Sequence, residues 1–260
     1  MSKTALITGA SGGIGYELAQ LFARDGYDCI LVARSQAKLK ELAARLEGEH
    51  RVKTLVIGKD LSRPSAVDEI FEEVTAASMP VDVLVNNAGF PVFGLFVETD
   101  LQVELEMLQV NVLALTALTK LFLKGMVERR AGRILNLAST AAFEPGPLMA
   151  VYYASKAYVL SFSEALANEL RGTGVTVTAL CPGPTRTGFQ KRGIMEDSRL
   201  VQGHIADPGS VALAGYRGLR AGKTIVIPGF SNKLIPWVVR VSPRGVVTRV
   251  VRRMQERAPD

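Results

Sequence analysis

The chain has 260 residues, 48% of them hydrophobic, and a formal net charge of +6. That length and apolar content suit one large α/β domain with a filled core, and exclude a disordered or fibrous chain. Cys29 and Cys181 each lie inside an apolar run, which excludes a disulfide framework and suits a reduced cytoplasmic protein, while His50 and His204 have no metal-spaced ligands beside them, so no catalytic metal is expected.

Met1-Ser2-Lys3 runs straight into an apolar strand pattern, so no signal peptide is expected in front of it. No apolar run reaches the length needed to span a bilayer. Residues 4–8 (Thr-Ala-Leu-Ile-Thr) read as a buried strand that breaks at a glycine turn, Gly9-Ala10-Ser11-Gly12-Gly13-Ile14-Gly15. A helix from about Tyr16 to Arg24 follows. Strand, glycine turn and helix in this order present free backbone N–H groups to a phosphate, and the glycines let a pyrophosphate approach without a Cβ in the way. A second strand, 28–33, ends at Ala33-Arg34-Ser35 where an acid would hold ribose hydroxyls. A guanidinium and a hydroxyl there suit a ribose 2′-phosphate instead, which favours NADP(H) over NAD(H). A solvated helix from Gln36 to Leu46 comes next.

The third strand, 54–58, leads to Asp60 and Leu61. Asp60 could bond an adenine edge or cap the helix expected from Ser65 to Ala77. The fourth strand, 81–85, breaks at Asn86-Asn87-Ala88-Gly89, where side-chain amides can hold a turn against a ligand. A long helix from Leu101 to Arg129 carries Asn111 in an apolar stretch, and a buried amide there requires either a backbone partner or a water. Strands 133–138, 175–180 and 224–227 complete an alternating pattern. It predicts a single Rossmann-like domain: a doubly wound, parallel seven-stranded sheet with helices on both faces.

Tyr152 and Lys156 stand four residues apart in Tyr152-Tyr153-Ala154-Ser155-Lys156, on one face of a helix. A cation beside a phenol lowers its pKa from the ordinary ~10 and makes it usable in carbonyl and alcohol chemistry. Tyr153 is rotated by about 100° and reads as packing. Together these motifs resemble the short-chain dehydrogenase/reductase family over nearly the whole chain, from Thr4 to about Gly229. Thr8-Gly9, Gly13-Ile14-Gly15 and Asn86-Asn87-Ala88-Gly89 match its cofactor turn and fourth-strand signature. Asn111, Ser139, Tyr152 and Lys156 match its catalytic tetrad, with Ser139 thirteen residues before Tyr152.

The resemblance implies that Tyr152 passes a proton to the carbonyl oxygen and that Ser139 orients that oxygen. Lys156 would bond the nicotinamide ribose and depress the Tyr152 pKa, and Asn111 would hold a water. Pro182, Gly183, Thr185 and Thr187 match the segment that holds the nicotinamide. NADP-preferring relatives often carry a basic residue where this chain has Gly12, so use of NAD(H) stays open. Family members are usually homodimers or homotetramers. A non-catalytic NADP-binding sensor is the rival reading, although such a protein would be expected to lose tetrad residues. Phe93, Phe143, Leu148, Met149, Phe189 and Ile194 would surround the reacting carbon, and apolar walls suit a hydrophobic ketone or acyl-type substrate.

Beyond the domain, taken as 1–232, lies a tail of 233–260. From Lys233 to Asp260 there are seven Lys or Arg and two acids, a net of +5, leaving +1 for the rest. The charge therefore belongs to the tail, and a nucleic-acid groove is not expected. Ser242-Pro243 reads as an N-cap and first helical residue. Val246, Val247, Val250, Val251 and Met254 form an apolar stripe against Arg249, Arg252, Arg253 and Arg257. Such a helix either docks on its own domain or a twin subunit, or lies as a peripheral element on an anionic membrane.

Overall fold

A computed structural model describes residues 2–188 and 205–256. Seven parallel strands, β1 (Thr4–Thr8), β2 (Asp28–Ala33), β3 (Thr54–Gly58), β4 (Val81–Asn86), β5 (Gly132–Leu137), β6 (Val175–Leu180) and β7 (Ile225–Val226), pair in the order β3-β2-β1-β4-β5-β6-β7. The helices between them are α1 (Gly13–Arg24), α2 (Gln36–His50), α3 (Ala66–Ala76), α4 (Leu101–Leu108), α5 (Leu115–Glu128), α6 (Ala150–Glu169) and α7 (Pro208–Arg220). Two more, α8 (Phe230–Val241) and α9 (Arg244–Gln255), follow the last strand.

The strands are apolar at successive positions because both faces are covered. Side chains alternate across the pleat, so each strand feeds two cores. Leu6, Ile30, Leu84 and Ile134 join α3, α4 and α5 on one face. Ala5, Ile7, Leu31, Val83 and Val85 join α1, α2 and α7 on the other. A fully buried side chain of this size contributes roughly 1.5–3 kcal/mol, and both layers act on every central strand. The order reverses between β1 and β4, which opens a crevice beyond the C-terminal ends of those strands.

Several expectations are corrected. The helix begun at Tyr16 starts at Gly13, inside the glycine turn. The 101–129 helix is interrupted by a π-helical segment, Gln109–Ala114, between α4 and α5. The whole span, Leu101–Glu128, is also long and apolar enough to cross a membrane, contrary to the reading that no segment is. Its packing makes it a core helix: Met107, Val110, Leu118, Phe122 and Met126 are buried against the sheet. Residues 233–240 lie in α8, so the boundary drawn at 232 and 233 falls inside a helix. Pro243 takes the N-cap position of α9, one residue later than expected.

Candidate active site

The glycine turn is fixed by contacts that leave no room for side chains. Gly9 and Gly13 have φ of 67° and 56°, which only glycine adopts without strain. A Cβ on Gly15 would lie 2.4 Å from Asn87 Nδ2 and 2.5 Å from the Gly9 carbonyl. Thr8 Oγ1 accepts from the N–H groups of Asn87 and Ala88, both at 3.0 Å, and Asn87 Nδ2 donates to the Thr8 carbonyl at 2.9 Å. The two strand ends flanking the switch point are thereby tied together. A Cβ on Gly12, in contrast, would meet no atom of the described residues within 4 Å, because Gly12 faces open cleft.

That cleft has a volume of about 700 Å³ and runs along the C-terminal ends of the strands. Gly9, Ser11, Gly12, Gly13 and Ile14 line it from the turn, Arg34 and Ser35 from the end of β2, and Asp60 and Leu61 from beyond β3. Asn87, Ala88 and Gly89 line it from β4, Pro182, Gly183, Thr185 and Thr187 from beyond β6. Ser139, Met149, Tyr152 and Lys156 close the far end. Arg34 is exposed and makes no hydrogen bond or ion pair among the described residues. Asp60 accepts from the backbone and hydroxyl of Ser62, at 3.1 and 2.9 Å. It therefore shapes a local turn and does not cap α3, which begins at Ala66.

At the far end, α6 stacks the expected pair one turn apart, with Lys156 Nζ 5.7 Å from the centroid of the Tyr152 ring. The ammonium donates to the Leu137 carbonyl at the end of β5, at 2.8 Å. Burial lowers its pKa from 10.5 to about 8. Burial also raises the Tyr152 phenol well above its ordinary value, while a hydrogen bond with Ser139 pulls the other way. Desolvation is the larger of these two influences on the phenol. Ser139 Oγ accepts from the Ala141 N–H at 3.1 Å, which fixes the hydroxyl at the start of a short 3₁₀ turn, Thr140–Phe143.

Asn111 is buried behind the cleft, in the π-helical segment. Its Oδ1 accepts from the Phe90 N–H at 3.1 Å, and its Nδ2 donates to the Phe90 carbonyl and to Ser155 Oγ, both at 3.2 Å. Of the two partners open to a buried amide, the backbone one is present. A Cβ on Gly89 would lie 2.9 Å from Asn111 Oδ1 and 3.6 Å from Lys156 Nζ. Gly89 is what allows these three elements to meet, and π segments often serve to aim a side chain in this way.

The structure departs from the expected substrate wall. Phe93 and Phe143 pack against core side chains and do not line the cleft; Phe189 and Ile194 lie outside the described residues. Tyr153 packs edge-to-face on Tyr152, with ring centroids 6.0 Å apart, and also lines the cleft. Its hydroxyl accepts from Gln255 Nε2 at 2.5 Å. Glu144 joins it in the lining, its carboxyl pKa raised by burial. Residues not anticipated there are Lys38, Asn232, Ile235, Met254 and Gln255, the last four from α8 and α9. Lys38 was findable, one helical turn beyond Arg34. The four from the tail carry no local signal, because only folding brings them back over the cleft.

Comparison with known proteins agrees with the geometry. The profile of the short chain dehydrogenase family matches residues 3–196. The ketoacyl reductase HetN of Nostoc sp. is 32% identical over 94% of this chain and 86% of its own length. The very-long-chain 3-oxoacyl-CoA reductase of Rattus norvegicus is 34% identical over 70% of this chain, which spans 59% of that enzyme. A short-chain dehydrogenase from Sphingobium yanoikuyae, solved in complex with NADPH, superposes with a TM-score of 0.84 at 31% identity, over 94% of each chain.

Proposed function

The chain belongs to the short-chain dehydrogenase family and is an oxidoreductase, and from that premise we propose that it transfers a hydride between NADP(H) and a hydrophobic ketone or acyl-type carbonyl and the corresponding secondary alcohol. The observation that carries this reading is the single cleft with the unpaired Arg34 at one end and Ser139, Tyr152 and Lys156 at the other. The residues fit a nicotinamide dinucleotide. The open face of Gly12 and the backbone N–H groups at the start of α1 suit the pyrophosphate. Arg34, Ser35 and Lys38 suit a 2′-phosphate, and Thr185 and Thr187 border the nicotinamide end.

When bound, the nicotinamide supplies or takes the hydride. Tyr152 gives its proton to the developing alkoxide in reduction and takes it back in the reverse direction. Ser139 holds the same oxygen by a hydrogen bond. Lys156 contributes positive charge beside the phenol and an N–H donor for a ribose hydroxyl. Asn111 keeps the Phe90 backbone and Ser155 in place behind them. Phe90, Val110, Met149, Ile235 and Met254 give the reacting end an apolar lining that excludes water and suits an acyl or other hydrophobic substituent. The Nostoc ketoacyl reductase and the rat very-long-chain 3-oxoacyl-CoA reductase, as relatives of this chain, support that class. We infer in addition a cytoplasmic homo-oligomer, with the exposed Leu101, Leu105 and Leu113 of the 101–128 span as the subunit contact.

Turnover of 3-oxoacyl thioesters with NADPH tests the reaction. Tyr152→Phe should lower it by about 10²–10⁴-fold while leaving NADPH binding intact; retained turnover refutes the assigned role. In a fluorescence titration, Arg34→Ala should weaken NADPH by about 10–100-fold, the value of a charge-assisted hydrogen bond, and leave NADH unchanged. Equal weakening of both, or of neither, refutes the 2′-phosphate site.

A further inference from the structure

The two C-terminal helices have a covered side and an uncovered one. On α8, Asn232 and Ile235 line the cleft and Val239 packs against the core. A Cβ on Gly183 would lie 2.8 Å from Asn232 Nδ2, so the helix sits directly on the segment after β6. The opposite side carries Phe230, Leu234, Trp237, Val238 and Val241, which are 82%, 51%, 70%, 57% and 80% exposed. Their spacing of i, i+4, i+7, i+8 and i+11 gathers them within about 100° of the helix circumference. A helix apolar on both sides requires cover on both, and the described residues supply only one. On α9, Val247, Val251 and Gln255 are buried, while the adjacent Val246, Val250 and Met254 are 41%, 50% and 46% exposed.

Cations accompany this surface. Lys233, Arg240, Arg244, Arg249 and Arg253 are exposed, and none forms an ion pair among the described residues. The one acid from Phe230 to Glu256 is Glu256 itself, paired with Arg252 at 3.2 Å. By helical periodicity Lys233 and Arg240 flank the α8 stripe along one edge.

We propose that α8 and α9 seat on an anionic lipid surface, with the α8 stripe in the headgroup region and the cations on lipid phosphates. An exposed tryptophan within an apolar stripe bordered by basic side chains is the composition of an interfacial helix. A second copy of this chain fits less well, because a symmetric contact would bring the same unpaired cations together. Among the described residues, the exposed apolar side chains Leu95, Phe96, Val97 and Leu101 stand instead beside Glu98, Asp100 and Glu106, and an anionic surface repels them. Since the covered side of α8 forms cleft wall, the membrane lies about one helix diameter, ~10 Å, from the cleft. An apolar substrate could then pass between bilayer and site with little exposure to water. The lipid contact does not depend on the identity of that substrate.

Vesicle flotation of the purified full chain tests this. The protein should float with phosphatidylcholine vesicles containing phosphatidylglycerol, remain behind with phosphatidylcholine alone, and be released at high ionic strength, where the Debye length falls from about 10 Å to about 3 Å. A Phe230→Ser/Trp237→Ser variant should lose at least tenfold in vesicle affinity. It should keep its thermal midpoint and its turnover of soluble ketones, because both side chains are solvent-exposed. Absence of flotation by the wild type at low salt overturns the proposal, as does unchanged flotation by the variant. A wild type that fails to float, while the variant changes mass in sedimentation, assigns the face to a second copy and also overturns it.

Discussion

The two ends of the cleft are built from different materials. At the glycine-turn end the shape comes from backbone: positive φ at Gly9 and Gly13, the hydrogen bonds converging on Thr8, and the missing Cβ of Gly15. These elements join β1 to β4 through the centre of the sheet, so no rotamer can relax them. At the far end the wall is made of side chains from α6, α8 and α9, joined by few polar contacts. The Gln255–Tyr153 hydrogen bond is one, and Gln255 Oε1 is buried there with no partner among the described residues. The first end is rigid by stereochemistry and suits an invariant ligand. The second can be re-lined by substitution with little effect on the sheet, which suits a site whose substrate differs between relatives.

Changes at the first end should therefore cost much stability, and changes to the α8 and α9 side chains at the second should cost little. The largest effect is expected for Gly15→Ala, whose Cβ would meet a backbone carbonyl and the Asn87 amide together. Overpacking against atoms that cannot move should cost about 3 kcal/mol or more and weaken NADPH by over tenfold, as thermal melts and titration would report. A near-neutral result would break the contrast.

Lys156→Met probes the junction of the two ends. With its pKa lowered to about 8 in the fold and 10.5 unfolded, Lys156 penalises folding wherever the unfolded chain binds the extra proton more readily. The penalty is full below pH 8 and vanishes by about pH 10.5. The cofactor-free variant should be more stable than wild type by about 1–2 kcal/mol at pH 7, once the lost Leu137 hydrogen bond is offset. That advantage should shrink as pH rises, while turnover is lost. A variant less stable than wild type at pH 7 would show that the ammonium is well accommodated.

The smallest effect is expected for Gln255→Met. It removes the hydrogen bond to Tyr153 together with the unpaired Oε1, so stability should change by less than about 1 kcal/mol. NADPH affinity should stay constant and KM for an apolar ketone should move a few-fold. A change in cofactor affinity as large as that of Gly15→Ala would show that the two ends are not independent.

Local sequence determined much of this protein. The bounds of β1, β2, β3 and β6 follow from short apolar runs closed by glycine, proline or polar residues, because a strand buried on both faces tolerates little else. The glycine turn and the Tyr152–Lys156 stacking were legible for the same reason, since each depends on spacing within one or two neighbouring elements, whereas the Asn87 tie to Thr8 joins segments far apart in the chain. Tertiary structure decided what depends on distant segments meeting. The π segment that aims Asn111 at Phe90 arises where that helix crosses the end of β4, and apolar periodicity does not register it. Phe93 and Phe143 looked like substrate wall but turn into the core, whereas Asn232, Ile235, Met254 and Gln255 looked like tail and became wall. The upward shift of the Tyr152 pKa also belongs to the fold, since the desolvation that causes it exists only once the sheet and helices close around the phenol.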